Sequence, residues 1–463
     1  MTRPLLAALL LVALPAPLIA QPTPPTVDSK VAALRKAALD DDYAWDIVEG
    51  LTTEIGPRLA GTEAEQRARD WAVAKLKSFG FSHVRVEAFD MPVWIRGPEA
   101  AEIVSPFPQR LVVAALGNSG TTPPEGITGE VVGFDTLEQL VAAPDSAVRG
   151  RIVFVSHAMP RTMDGSGYGY FGGPRRQGPT IASKKGAIAI VIRSIGTDYH
   201  RNPHTGVQTF GEGATPIPAG ALSLPDAEQL QRILKRGQPV TMHLTLVSQT
   251  RPGHSGNVIA EVPGRDLQAP ILLVGGHLDS WDQGTGAIDD GAGVAIATAA
   301  AKRIMDAGRP LRTIRIVWFG AEEPGIFGGL AYQKAHGSEP HYSVAESDFG
   351  SDRVWKVDSK LGPARAAEAK ALQVALAPLG IVPGSTEKAD GSDIDPLIAA
   401  GTPGVALSQD GTHYFDLHHT PDDTLDKIDL AQFRQNVAAW TAMLAILSGG
   451  IEPEAKPSRP KRR

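Results

Sequence analysis

The feature that most constrains this chain is an apolar run that leads directly into a histidine and an aspartate. Residues 271–274 form the run, Gly275 and Gly276 follow, and His277 and Asp279 come next. In α/β proteins this pattern is typical of a buried strand whose carboxyl end carries the chemistry. Because His277 and Asp279 are two residues apart, strand alternation predicts that both side chains point to the same side. Imidazole and carboxylate together at a strand end favour a zinc site.

Further acidic and imidazole side chains follow other predicted strands or lie in nearby loops. They are Asp289 and Asp290, Glu322 and Glu323, Glu346 and Asp348, Asp390 and Asp393, and His418, His419, Asp422 and Asp423. In open α/β sheets, ligands bind outside the carboxyl ends of the strands, so we expect these groups to converge. Adjacent carboxylates at a buried strand end are costly unless they are paired or bound to a metal.

The set of side chains suits hydrolysis by two metal ions. Two divalent ions about 3.5–4 Å apart need terminal ligands on each ion and a carboxylate that bridges them. Two histidines and three carboxylates meet this need, and the sequence contains them. A carboxylate that is not a ligand can take the proton of the attacking water, and Glu322 beside Glu323 supplies this arrangement.

The rhythm of the sequence predicts an α/β fold with a mixed sheet flanked by helices on both faces. Strand patterns alternate with helical patterns through residues 251–450, and residues 28–110 add a helix and a strand to the same domain. Between them, residues 111–250 show short β runs, which predict an inserted and mostly β domain. At 463 residues the chain exceeds the comfortable size for one hydrophobic core, in agreement with two domains.

Both ends of the chain carry signals of a different kind. Residues 1–20 combine Arg3, a short apolar core and a small residue before a plausible cleavage point, which predicts a signal peptide. Residues 21–27 then form a flexible mature N-terminus, and the proline-rich basic residues 451–463 form a disordered tail. The apolar core is too short to span a bilayer, so we expect an exported protein, periplasmic or secreted, without a stable membrane anchor.

Composition excludes several classes of function. The chain has no cysteine, which rules out disulfides, thiolate metal sites and cysteine nucleophiles. The formal net charge of −6 gives no electrostatic footprint for nucleic acid, so we expect no such partner.

The order of the motifs resembles the co-catalytic di-zinc aminopeptidase family, within it the plasma glutamate carboxypeptidase (carboxypeptidase Q-like) type. The motifs are GGHLDSWDQGTGAIDDGAG, AEEPGIFGG, ESD and HHTPDDT. The likeness covers roughly residues 31–447, and it implies a zinc-exopeptidase fold with residues 111–250 as a protease-associated-like domain. It also implies peptide substrates and a homodimer.

The resemblance assigns a role to each residue of the set. It implies that His277, Asp289, Glu323, Asp348 and His419 bind two Zn²⁺ ions, with Asp289 as the bridge. It further implies that Glu322 is the general base and that Asp279 orients the His277 ring. Co²⁺ or Mn²⁺ can substitute, since the ligands are all oxygen or imidazole nitrogen.

Some positions keep two interpretations. Asp290 is the alternative bridge, although it can equally cap the helix that follows, and Asp393 either lines the pocket or caps the residues after it. His418 and Tyr414 are rival donors to the oxyanion.

We therefore expect an exported di-zinc exopeptidase that hydrolyses dipeptides or short peptides and releases the N-terminal residue. Two alternatives remain: a hydrolase or cyclase that acts on another amide, and a non-catalytic binding homologue.

Overall fold

The computed structural model describes residues 28–453. The predicted signal peptide at 1–20, the flexible segment at 21–27 and residues 454–463 of the predicted tail lie outside the described residues.

The strands, in chain order, are β1 Ser82–Ser105, β2 Gln109–Leu111, β3 Val113–Ala115, β4 Ile127–Phe134, β5 Ile152–Val155, β6 Ala189–Arg193, β7 Ala219–Leu222, β8 Thr241–Val262, β9 Ile271–His277, β10 Arg309–Pro310, β11 Ile314–Phe319, β12 His341–Glu346, β13 Val354–Lys360, β14 Val382–Pro383, β15 Gly404–Gln409 and β16 Ile451–Glu452.

The α-helices are α1 Ser29–Ala38, α2 Tyr43–Gly50, α3 Glu63–Ser78, α4 Leu137–Ala142, α5 Asp145–Val148, α6 Tyr168–Phe171, α7 Gly173–Arg176, α8 Gly178–Lys184, α9 Leu224–Leu234, α10 Ala292–Ala307, α11 Phe327–His336, α12 Ala366–Leu376, α13 Asp395–Ala399, α14 Tyr414–Leu417 and α15 Leu430–Leu447.

A mixed sheet forms the centre of the main domain, in the order β14-β13-β15-β12-β9-β11-β8. Strands β15, β12, β9 and β11 run parallel, while β8 and β13 pair antiparallel with their neighbours β11 and β15. Alternate residues of β9 enter different cores: Leu272 and Val274 pack with α10 and α15, whereas Leu273 packs with α11 and α13. Helices therefore cover both faces of the sheet, and the predicted α/β fold is confirmed.

The inserted segment is more helical than expected. Strands β4, β5, β6 and β7 run parallel, and helices α4 to α9 accompany them, so the expectation of a mostly β segment is wrong. Five of the six helices have only four to seven residues, too short to show a helical period in the sequence.

A long antiparallel ribbon joins the two parts of the chain. Strand β1 pairs with β8 over most of its length, and β8 also pairs with β4 of the inserted segment and β11 of the main sheet. Pro92 lies opposite Pro252 in this ribbon, so both prolines belong to a continuous pair of strands.

The last described residues differ from the prediction of a disordered tail that begins at residue 451. Strand β16, Ile451–Glu452, pairs with β10, and the Glu452 carboxylate forms an ion pair with Arg265 at 2.6 Å. The tail boundary at residue 451 is therefore too early by these two residues.

Arg58 fixes the loop that follows β9. Its side chain is fully buried and donates to the carbonyl oxygens of Leu278 at 2.5 Å, Thr285 at 2.7 Å and Gly286 at 2.8 Å. Burial lowers the pKa of the guanidinium, and the carboxylates beyond the loop, led by Asp423, oppose that shift. One cation thus donates to three main-chain carbonyls of this loop.

We expect Arg58→Met to lower the free energy of unfolding by about 3 kcal/mol or more, because buried carbonyls lose their donors. Urea unfolding followed by tryptophan fluorescence measures this loss. The control Arg67→Met changes an exposed arginine of α3 and should stay within about 0.5 kcal/mol of the parent. Equal stability of the two variants would contradict the role given to Arg58.

Candidate metal centre

Three parallel strands bring the predicted site residues to one edge of the sheet. In the register of the sheet, Phe319 of β11 lies opposite His277 of β9, and Glu346 of β12 lies opposite Gly275. The strands therefore end at nearly the same level. The loops that follow them meet there, so the convergence expected from the sequence is observed.

Asp289 lies between two pairs of side chains. Its Oδ1 is 3.1 Å from Nε2 of His277, and the same imidazole nitrogen is 3.4 Å from Oδ1 of Asp348. Its Oδ2 is 3.2 Å from Nε2 of His419, which in turn is 3.1 Å from Oε2 of Glu323. Each oxygen of this carboxylate thus faces a histidine whose Nε2 also lies close to a further carboxylate.

His418 lies beside this arrangement without completing it. Its Nε2 is 3.7 Å from Oδ2 of Asp289, and its ring stacks on His419 with centroids 3.4 Å apart. His419 approaches both Asp289 and Glu323, which favours it over His418 as a ligand.

The spacing of the ligand atoms fits metal ions. Two atoms bound tetrahedrally to one zinc at about 2.0–2.2 Å lie roughly 3.3 Å apart, close to the N···O distances found here. Oδ2 of Asp289 and Oε1 of Glu323 are buried and have no hydrogen-bond donor within residues 28–453. A buried anionic oxygen in this condition is stabilised by a bound cation, and both carboxylates lie beside His419, so the described residues fit a metal.

Main-chain carbonyls orient both imidazoles. Nδ1 of His277 lies 3.0 Å from the Asp279 carbonyl oxygen, and Nδ1 of His419 lies 3.3 Å from the Thr205 carbonyl oxygen. These contacts place the ring proton on Nδ1, which leaves each Nε2 lone pair for a metal. Thr205 belongs to the inserted segment, so two parts of the chain build the site.

Asp279 acts differently from the expectation. Its main-chain oxygen contacts the His277 ring, whereas its carboxylate is 3.7 Å from that ring and accepts the N–H groups of Glu322 at 3.0 Å and Glu323 at 3.3 Å. Burial raises the pKa of this carboxyl to about 7. The side chain thus holds the loop that carries Glu322 and Glu323 against β9.

Asp290 and Asp423 both accept main-chain N–H groups near the site. Asp290 lies beside His277 and Asp348, and its carboxylate accepts the N–H groups of His277 and Gly293, each at 3.0 Å. It therefore stabilises the first turn of α10, as its capping alternative predicts. Asp423 accepts the N–H groups of Ile288 at 2.6 Å and Asp289 at 3.2 Å, and burial raises its pKa to about 7.

Glu322 is partly exposed on the wall of the cleft. Its pKa is raised well above the ordinary value by burial, with the nearby carboxylates of Asp348 and Glu323 adding to the effect. A carboxylate with a raised pKa is a stronger proton acceptor, which suits a general base.

Burial and neighbouring side chains shift the pKa values of the histidines and of Tyr414. Burial alone would lower the pKa of His277, yet Asp348 and Asp289 raise it well above the usual range. Burial and the neighbouring His419 lower the pKa of His418, which is therefore neutral. Burial raises the pKa of Tyr414, so its hydroxyl keeps its proton.

A cleft of about 320 Å³ opens onto these side chains. Glu322, Asp348, Tyr414, His418 and His419 line one part of it, and both predicted oxyanion donors therefore face the same space. A neighbouring cavity of about 370 Å³ shares Asp348, Phe349 and Ser392 with the cleft.

Asp393 departs from both of its predicted roles. Its carboxylate accepts the N–H of Gly329 at 2.8 Å, in the first turn of α11, so it supports that helix and not the residues that follow it. It also lies outside the residues that line the cleft.

Sequence reasoning missed several residues of the site. Arg58 and Thr205 are far in sequence from the residues that they contact, Leu278 and His419. Arg175 and Arg176 of the inserted segment line the cleft. Charge in a glycine-rich loop was the available signal for the two arginines.

Comparisons with known proteins place this geometry in a family. The pattern of Peptidase family M28 matches residues 257–444. The chain is similar to carboxypeptidase Q of Bos taurus, with 34% identity over 405 residues, which cover 86% of this chain and 84% of that protein.

Solved structures agree. A peptidase M28 precursor from Shewanella amazonensis superposes with a TM-score of 0.88 at 47% identity, covering 93% of this chain and 99% of that one. A zinc aminopeptidase from Bacillus subtilis has a TM-score of 0.65 at 20% identity, covering 89% of this chain and 96% of that one, and shows the shared fold. The chain therefore belongs to peptidase family M28 and is a metallo-exopeptidase.

Proposed function

We propose that this protein binds two Zn²⁺ ions and hydrolyses dipeptides or short peptides, releasing the N-terminal residue. The observation that carries the proposal is the Asp289 carboxylate, whose two oxygens each face a histidine that is also close to a further carboxylate. This arrangement provides two equivalent metal sites with one shared ligand.

The residues of the site divide between the two ions. His277 and Asp348 would hold one, Glu323 and His419 would hold the other, and Asp289 would bridge them. The ions, when bound, supply an activated water and polarise the scissile carbonyl.

Glu322 accepts the proton of the attacking water and passes it to the leaving amine. It lines the cleft, and the carboxylate of Asp279 holds its main-chain N–H, so its position is fixed relative to β9. His418 and Tyr414 line the same cleft and are the candidate donors to the oxyanion.

The inserted segment of residues 111–250 acts in this proposal as a protease-associated-like domain that closes one side of the cleft. Tyr168, Arg175 and Val207 of this segment line the cleft together with the metal-site residues.

Export across a membrane is part of the proposal. It rests on the sequence of residues 1–20. Within residues 28–453, no helix combines the length and the apolar character needed to cross a bilayer. N-terminal sequencing of the mature protein tests export, and a mature chain that begins at Met1 would contradict it.

The purified protein should release free amino acids from a panel of dipeptides. Activity should disappear with a metal chelator and return when Zn²⁺ is added. A dipeptide yields both of its residues, so liquid chromatography of the products of a tripeptide identifies which end is released. Chelator-resistant hydrolysis, or release of the C-terminal residue from longer peptides, would contradict the proposal.

Glu322→Gln should keep both metal ions and lose about 10²–10⁴-fold in kcat, because proton transfer is removed while the metal ligands stay. Metal analysis and steady-state kinetics on the same preparation measure the two effects. The exposed Glu387→Gln is the matched control and should retain the parent rate. Retained activity in Glu322→Gln would remove this residue as the base.

Asp289→Asn and Asp290→Asn separate the bridge from the helix cap. Asp289→Asn should lose bound metal, since one amide oxygen replaces two anionic ones. Asp290→Asn should keep the metal and unfold at a lower temperature, because it accepts two main-chain N–H groups. Metal content and thermal unfolding report both, and equal metal loss in the two variants would contradict the assignment of Asp289.

A further inference from the structure

Two adjacent arginines face a cleft that is also lined by four acidic side chains. Arg175 and Arg176 lie in α7 and line the cleft together with Glu322, Glu323 and Asp348. Within residues 28–453, neither guanidinium is in ion-pair contact with a carboxylate, and their contacts are to carbonyl oxygens, a tyrosine hydroxyl and a histidine ring. Two neighbouring cations without a counter-ion leave positive charge at this end of the cleft.

Arg175 is almost entirely buried, with 4% of its surface exposed, and its Nε has no hydrogen-bond acceptor. Its Nη1 contacts the Thr205 carbonyl oxygen at 3.3 Å and lies 3.5 Å from Nδ1 of His419. One imidazole ring therefore separates this guanidinium from the metal ligand atoms. A buried guanidinium with an unused N–H group is suited to a charged acceptor that arrives with the substrate.

Arg176 extends the same positive surface and is more exposed than Arg175. Its Nη2 donates to the carbonyl oxygens of Tyr168 at 3.1 Å and Gly169 at 2.6 Å, and these contacts leave Nη1 and Nε available. Both guanidinium groups lie over the Tyr168 ring, at 5.2 and 5.4 Å from its centroid. The aromatic ring fixes their planes without neutralising their charge.

The neighbouring cavity has the opposite character. Asp164, Glu346, Asp348, Asp390 and Asp395 line it, with Lys356 as the basic residue among them. The two spaces meet at Asp348, next to the proposed metal ions. The acidic cavity therefore adjoins the centre at Asp348, whereas Arg175 adjoins it at His419.

A zwitterionic dipeptide matches this separation of charge. An extended dipeptide spans about 7 Å, so its ammonium and carboxylate ends can lie on opposite sides of one metal centre. A cleft of about 320 Å³ is also at the small end of ligand sites. An internal residue of a long chain has no carboxylate for the arginines.

We propose that Arg175 and Arg176 bind the C-terminal carboxylate of the substrate and so select dipeptides over longer peptides and amides. This inference rests on the proposed exopeptidase function, since it concerns the leaving residue of the same reaction. It deepens that function by giving the inserted segment a direct contact with the substrate.

The test compares three substrates on the zinc-loaded full-length enzyme: L-alanyl-L-leucine, its C-terminal amide, and L-alanyl-L-glutamate α-amide. We expect kcat/KM for the free acid to exceed that for the leucine amide by about 30-fold or more, because the amide leaves the charged donors unpaired. The glutamate α-amide has a side-chain carboxylate only and should resemble the leucine amide.

Arg176→Gln should reduce the acid-to-amide ratio to within about threefold of unity, mainly through a higher KM for the acid. Arg176→Lys keeps the charge without the paired donors, so its acid-to-amide ratio should lie between those of the parent and Arg176→Gln. Arg149→Gln, at an exposed arginine of the inserted segment, is the control and should keep the parent ratio and rate. Arg175→Lys tests the buried arginine of the pair in the same assay. The metal content of this variant shows whether His419 still binds metal.

A parent ratio near unity, an unchanged ratio in Arg176→Gln, or fast cleavage of the glutamate α-amide would overturn the inference. Calorimetry with a dipeptide whose peptide bond is reduced to CH₂–NH gives a readout without turnover. Suppose that no substrate is cleaved, but the free acid of the reduced dipeptide binds more tightly than its carboxamide and Arg176→Gln removes this difference. That result supports the arginine site and rejects the proposed exopeptidase function. Equal binding of the two forms overturns the site.

Discussion

Burial of carboxylates at one edge of the sheet is the constraint on which the rest of the structure depends. Seven acidic side chains are buried there: Asp279, Asp289, Asp290, Glu323, Glu346, Asp393 and Asp423. Five of them accept main-chain N–H groups, which stabilise a carboxylate and also fix the loops that donate. Asp289 and Glu323 instead accept no main-chain N–H group within residues 28–453, and both face the histidines. The hydrogen bonding thus separates acids that hold the backbone from acids that would hold a metal.

Much of the site could be predicted from the sequence, because its ligands are side chains at the ends of strands. The parallel order of β11, β9 and β12 brings His277, Glu323 and Asp348 together by topology alone. The resemblance to a family then ordered these residues by role, and the geometry around Asp289 fits that order.

The parts that escaped prediction act through the main chain. Arg58 donates to three carbonyls, and Thr205 accepts from His419 through its own carbonyl, which every residue type possesses. Asp279 was expected to orient a ring with its carboxylate, whereas its carbonyl does so. No pattern of side chains encodes such contacts. The same limit explains the ribbon of β1 and β8, where the pairing partner decides that Pro252 lies in a strand.

The contact between Thr205 and His419 has a consequence for the modularity of the chain. An inserted segment is usually regarded as separable from the domain that hosts it. Here the carbonyl that selects the His419 tautomer, and the arginine next to the same ring, both come from the insertion. Loss or displacement of the insertion would free the imidazole to rotate and to move its proton between nitrogens. The main domain supplies every proposed metal ligand, but the insertion orients one of them, so a substitution in either part reaches the same site.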